Sequence, residues 1–139
     1  MYKKILVAVD GSEISFRALA NAEALAQGMK GELLVLHVTD TAPQASQHRT
    51  LGITTSLEEK DDSELMYAVK KQLQESSVPF KVKEAAGHPA TVIIETAAEA
   101  GCDAIVMGSR GLGSITKIFI GSVSSDVINN AEIPVVIVK

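Results

Sequence analysis

With 139 residues and 46% hydrophobic content, the chain suits one domain over residues 1–139, burying about two thirds of its unfolded surface. A formal net charge of -4 and a pI near 5.3 exclude broad binding to nucleic acid or to anionic membranes, both of which need basic surfaces. A single cysteine, Cys102, excludes an internal disulfide framework and fits a reducing, cytoplasmic setting.

The apolar run Ile5-Leu6-Val7-Ala8-Val9 is too short for a signal-peptide core or a membrane span, so a soluble protein is expected. An unbroken run of this kind is the pattern of a parallel strand covered on both faces, and it stops at the turn Asp10-Gly11-Ser12. A helix follows. Ser12 suits its N-cap and Glu13 its first turn, and Ala18, Ala22, Leu25 and Met29 recur at helical spacing until Gly28 or Gly31 ends it. Leu33 to Val38 is the second strand. Thr39 to Thr55 shows neither period and reads as a mobile loop. From about Leu57 to Ser76 a second helix buries Leu65, Val69 and Leu73, and Val78-Pro79 breaks it. Phe80 to Ala85 alternates in its first half, as a half-exposed edge strand does.

Gly87-His88-Pro89 turns the chain into a small-residue helix that runs to Ala100 and stops at Gly101, with Pro89 suited to its first position. Ala104 to Met107 is a buried strand, Val123 to Asn130 a short helix, and Ile133 to Val138 a closing strand. Five strands alternating with four helices predict an α/β fold: an open, mainly parallel, five-stranded twisted sheet with helices on both faces. In such sheets ligands bind at the carboxyl ends of the strands, where the winding changes direction. Asp10, Val38 and Gly108 mark three strand exits that converge on one crevice there.

The most informative segment is Gly108-Ser109-Arg110-Gly111, followed after nine residues by Gly121-Ser122. Glycine's missing Cβ lets the backbone approach a ligand, and a helix starting at Ser122 directs N–H groups at an anion. This is a phosphate cradle. Other phosphate loops do not match: no Gly-x4-Gly-Lys-Ser/Thr string exists, the first strand's exit supplies one glycine, and Gly111-Leu112-Gly113 lacks a third at position 116. The surviving pattern resembles the nucleotide signature of the universal stress protein family, Gly-x2-Gly-x9-Gly-Ser/Thr, with every spacing kept. The likeness spans the chain from Lys4-Ile5-Leu6-Val7-Ala8-Val9-Asp10-Gly11-Ser12 to Ile133-Pro134-Val135-Val136-Ile137-Val138.

The resemblance implies a single-domain, ATP-binding protein with a Rossmann-like sheet similar to that of adenine-nucleotide α-hydrolases. It places Asp10 near the ribose hydroxyls, Val38 against the adenine through its backbone, and Ala8 and Val9 along the base. It lines ribose and phosphates with Met107, Gly108, Arg110 and Gly111, and the phosphate tail with Gly121, Ser122, Val123 and Ser124. Arg110 stands where family members commonly carry histidine, and its guanidinium adds a potential phosphate contact. Mg²⁺ would accompany the phosphates through their own oxygens, and the last strand, Val135 to Val138, would pair with its copy in a homodimer.

Structural readings stand beside these. Asp10 also suits an ordered turn, Ser122 an ordinary N-cap, Gly108 and Gly111 a simple bend, and Arg110 and Lys117 solvated loop charges. Leu112, Ile115, Ile118, Phe119 and Ile120 either pack beneath the loop or form a partner surface. His37 reads as a core or rim residue, His48 and His88 are too scattered for a metal site, and Cys102 reads as a buried structural thiol. The expected function is a nucleotide-biased switch in stress response or signalling. Dedicated catalysis is not expected; the limit is slow ATP hydrolysis or autophosphorylation at Ser122, Ser124 or Ser125. A nucleotide-independent structural or chaperone-like module stays open, as does a hydrolase-type enzyme, although the latter's Ser-Gly-Gly-x-Asp-Ser loop is absent after Val9. A receiver domain is disfavoured because Ala85-Ala86-Gly87 occupies the place of its aspartate.

Overall fold

A computed structural model describes residues 2–39, 55–110 and 121–139. In chain order the elements are β1 (Lys4–Ala8), α1 (Glu13–Met29), β2 (Glu32–Thr39), α2 (Thr55–Gln74), β3 (Phe80–Ala86), α3 (Pro89–Ala100), β4 (Ala104–Gly108), α4 (Ser122–Asn130) and β5 (Val135–Val138). The strands form one sheet in the order β3-β2-β1-β4-β5, and every pairing is parallel. The chain winds outward from β1 to β3 and then crosses back to β4 on the other side. That reversal lies between β1 and β4, so the exits of these two strands frame the crevice expected at a switch point. Both edges are as the sequence implies, with β3 at one side and β5 at the other.

Period-two alternation sorts the side chains into two cores. Ile5 and Val7 of β1, Leu33 and Val35 of β2, and Ala104 and Val106 of β4 join one core with Ala18, Leu19, Ala22 and Ala26 of α1 and Val69 and Leu73 of α2. Leu6, Leu34, Leu36, Ile105 and Met107 face the other way, into a core with Ala90, Ile93 and Ala97 of α3 and Val127 of α4. Leu6, Leu36 and Ile105 are fully buried, which stabilises the fold by about 1.5–3 kcal/mol apiece. The three alanines on the buried face of α1 bring that helix close to the sheet, and Gly108 exploits the approach. A Cβ there would stand 3.1 Å from Ile14 Cγ2 and 3.3 Å from the Arg110 carbonyl oxygen.

The end of α1 differs from the sequence expectation. Neither Gly28 nor Gly31 takes the left-handed position; Lys30 does, at φ 55°, and the Gly31 N–H closes the helix on the Ala26 carbonyl at 2.8 Å. Gly31 is needed for space instead. Its Cβ would fall 2.6 Å from the Tyr2 carbonyl oxygen and 2.9 Å from that of Lys3, where the chain enters β1. Of the loop expected between Thr39 and Thr55, the two end residues belong to β2 and α2, and residues 40–54 lie outside the described residues. Gly111 and residues 112–120, including Lys117 and the apolar group around Ile118, also lie outside them.

Candidate functional site

Three strand exits and three helix starts surround a cleft of about 800 Å³, counted out to its open mouth. Ala8, Val9, Asp10, Val38, Met107, Gly108, Arg110, Gly121, Ser122, Val123 and Ser124 all line it. Gly111 falls among the residues not described. Ser15, Leu36, Pro89 and Ile93 line it too, and sequence reasoning had not singled them out. Strand alternation was the available signal for Leu36, two residues before Val38; helical spacing was the signal for Ser15 after Ser12 and for Ile93 after Pro89.

The cleft has a dry side and a wet side. Ala8, Leu36, Val38 and Met107 project from neighbouring strands onto the α3/α4 face, and Pro89 and Ile93 close that wall from the start of α3. Val9 packs its side chain into the opposite core and donates its N–H to the Leu36 carbonyl, so it borders the cleft with its backbone. A flat apolar ring system suits this half. On the polar side stand Asp10, Arg110 and the N-terminus of α4.

The first turn of α4 sets the anion chemistry. Gly121 is its N-cap, so no side chain caps it, and the first intrahelical bond runs from the Ser125 N–H to the Gly121 carbonyl at 2.9 Å. The N–H groups of Ser122, Val123 and Ser124 therefore precede any intrahelical acceptor and carry the positive end of the helix dipole. Gly121 itself contributes no such donor, because its N–H donates to the Ser109 carbonyl at 2.6 Å. Its φ of -62° and ψ of 160° are open to any residue, so its glycine answers no conformational demand. At Gly108, which also lines the cleft, an added Cβ would press on Ile14, as described above.

The serines differ in what they offer. Ser122 is exposed, whereas the Ser124 side chain is buried and its hydroxyl donates to the Gly108 carbonyl at 2.7 Å. That bond ties the start of α4 to the end of β4. A phosphate placed on Ser124 would break it and bury charge, which makes Ser124 the poorest acceptor of the three serines considered. At the other rim, Asp10 accepts from the Ser12 N–H at 2.9 Å, so its structural reading, an ordered turn, is part of its role. Among the described residues no three His, Cys, Asp or Glu side chains converge to hold a metal ion.

Known proteins share both sequence and fold with this chain. A profile of the universal stress protein family matches residues 1–139. The universal stress protein YxiE of Bacillus subtilis is 34% identical over 149 residues, covering 100% of both chains. The solved structure of MJ0577 from Methanocaldococcus jannaschii superposes with a TM-score of 0.88 at 32% identity, covering 100% of this chain and 96% of that one. A universal stress protein from Archaeoglobus fulgidus, solved in complex with dAMP, has the same fold at a TM-score of 0.75 and 24% identity, covering 99% of this chain and 98% of that one.

Proposed function

The chain belongs to the universal stress protein family, and on that premise we propose that it binds an adenine nucleotide, ATP, in the cleft between the β1 and β4 exits. The binding would make residues 1–139 one nucleotide-biased switch in stress response or signalling. The observation that carries the reading is the pairing, within one cleft, of an apolar wall with a carboxylate rim and an uncapped helix start. Adenine is a flat apolar surface, ribose offers hydroxyl donors, and phosphates need N–H donors and positive charge. The three parts of the cleft's chemistry match in that order. The fold accommodates such a ligand, since a relative of this architecture was solved with dAMP.

In this reading Ala8, Val38 and Met107 hold the base, with Leu36, Pro89 and Ile93 excluding water around it. Asp10 accepts from ribose hydroxyls, while Arg110, Gly111 and the amides of Ser122, Val123 and Ser124 hold the phosphates. Charge-assisted bonds of about 1.5–3 kcal/mol each, less the ordering costs, lead to micromolar affinity. Mg²⁺ arrives with the phosphates, bound through their oxygens. Nucleotide orders the segment from Gly108 to Ser122, and the loop between Thr39 and Thr55 responds, changing what a partner meets. The protein acts in the cytoplasm; none of its described helices is long and apolar enough to cross a membrane. Two copies associate through the free edge of β5, Val135–Val138, whose side chains are all half-buried in one chain.

Mass spectrometry of small molecules released from gently purified protein tests the ligand, and calorimetric titration with ATP tests its affinity. An adenine nucleotide and a micromolar constant are expected. A different cofactor would point to an enzyme, and no ligand with no binding at millimolar ATP would leave a nucleotide-independent module. Hydrogen exchange with saturating ATP should protect amides in both loops, and unchanged protection between Thr39 and Thr55 removes that loop from the switch. Light scattering at micromolar protein should give a dimer; a clean monomer refutes the β5 interface.

A further inference from the structure

At the edge of the sheet β3 pairs, among the described residues, with β2 alone. In a parallel ladder the N–H and C=O of one residue point to the same side, and those of the next residue to the other. The Pro79 carbonyl accepts from the Leu33 N–H at 2.9 Å and the Gly87 N–H donates to the Thr39 carbonyl at 3.0 Å, so the odd-numbered residues between them face β2. Phe80, Val82, Glu84 and Ala86 therefore turn their N–H and C=O groups outward, where no described strand meets them. The side chains alternate as well. Phe80 and Val82 pack against the core beneath α1 and α2, whereas Lys81 and Lys83 are exposed on the opposite face. There they line a groove of about 580 Å³, counted out to its open mouth, with Lys4, Glu32, Thr96 and Glu99. Lys4 and Glu32 begin β1 and β2, which sets the groove toward the end of the sheet away from the cleft. These two are paired at 3.6 Å; among the described residues neither Lys81 nor Lys83 is in an ion pair.

We propose that the free edge of β3 takes an extended segment of a partner protein as a sixth strand, one in which acidic residues alternate with apolar ones. The outward groups of Phe80, Val82 and Glu84 supply the ladder, the carboxylates stand beside Lys81 and Lys83 at the mouth of the groove, and the apolar residues continue the face of Phe80 and Val82. A second copy of β3 does not fit. Added antiparallel about Val82, it would set Lys81 against Lys83 and repel, as lysines on a sheet edge commonly do. Elsewhere an acidic segment meets the chain's own net charge of -4. The site is independent of the nucleotide reading.

The test is fluorescence anisotropy on the full chain with a labelled eight-residue peptide of alternating Glu and Val. One control alternates Lys and Val; the other carries the same four Glu and four Val in two blocks. The alternating acidic peptide should bind at least about tenfold more tightly than either control. Lys81→Glu together with Lys83→Glu should weaken it about tenfold or more, and the milder pair Lys81→Gln with Lys83→Gln about threefold. Glu84→Pro removes an outward N–H while sparing the β2 ladder and should weaken binding about fivefold, whereas Glu84→Gln, which removes only a negative charge, should not weaken it. Amide exchange by NMR on the parent depends on no variant's folding, and the peptide should protect the Val82 and Glu84 N–H groups. Equal binding of the two acidic peptides, unchanged exchange at Val82 and Glu84, or full affinity in a folded Glu84→Pro protein would overturn strand addition. No binding at millimolar peptide would overturn the site altogether.

Discussion

Gly121→Val separates the two things that Gly121 does. Its backbone at φ -62° and ψ 160° suits valine, and the N–H that donates to the Ser109 carbonyl is kept. The folding cost is limited to a poorer N-cap, about 1 kcal/mol or less. For a phosphate the change is large, because a branched side chain now stands beside the amides of Ser122, Val123 and Ser124. Losing two of those three contacts at about 1.5 kcal/mol each removes roughly 3 kcal/mol, or about a hundredfold in affinity. Calorimetric ATP titration measures the loss, and a urea unfolding curve confirms that the variant is folded. A folded Gly121→Val protein that binds ATP within about threefold of the parent would refute the cradle.

Two glycines of α1's C-terminal region should respond in opposite directions. A Cβ at Gly28 meets nothing within 4 Å, so Gly28→Ala should raise stability by about 0.5–1 kcal/mol, whereas Gly31→Ala drives a methyl onto the Tyr2 carbonyl and should lower it by about 1–3 kcal/mol, both read from urea midpoints. Ser124→Ala leaves the Gly108 carbonyl without its donor and should cost about 1–3 kcal/mol, with ATP affinity falling as α4 loosens from β4; unchanged stability and affinity would deny the tether any role. Burial pushes the Cys102 thiol above its ordinary value of 9.0, with Lys4 opposing and Asp103 and Glu32 adding to the rise. The folded state thus holds the proton more tightly than the unfolded one, and stability present below pH 9 is lost as pH rises through the folded pKa. The parent should therefore lose more stability than Cys102→Ala between pH 8 and pH 10 in urea unfolding.

What could be read from the residues was whatever local pattern dictates. The apolar run at Ile5 to Val9 shows a central strand because both of its faces are covered, and Lys81 and Lys83 alternating with Val82 betray the edge position of β3. The spacing from Gly108 to Ser122 located a crevice because strand exits converge at the winding reversal. Long-range geometry was not legible. Lys30 rather than a neighbouring glycine adopts the left-handed turn, since the space at Gly31 is claimed by residues almost thirty positions away. Nor could pattern reveal that the Asp103 carboxylate receives the Lys3 and Lys4 N–H groups at 2.7 and 3.0 Å, fastening the start of β1 across a hundred residues of chain. Gly108 reads as a cleft glycine and does line the cleft, but that a Cβ there would crowd Ile14 is a packing fact no local pattern shows.

The strand flanked on both sides in the finished sheet is synthesised early, yet one of its neighbours comes late: Ile5 lies beside Ala104. At about 5–20 residues per second, roughly 5–20 s of translation separate the two. During that interval β1 can pair with β2 while its other edge stays bare. The growing chain therefore presents its most adhesive strand to the ribosome's surroundings long before the closing partner exists, and nascent-chain chaperones are expected to bind chains halted ahead of β4 more strongly than chains halted past β5.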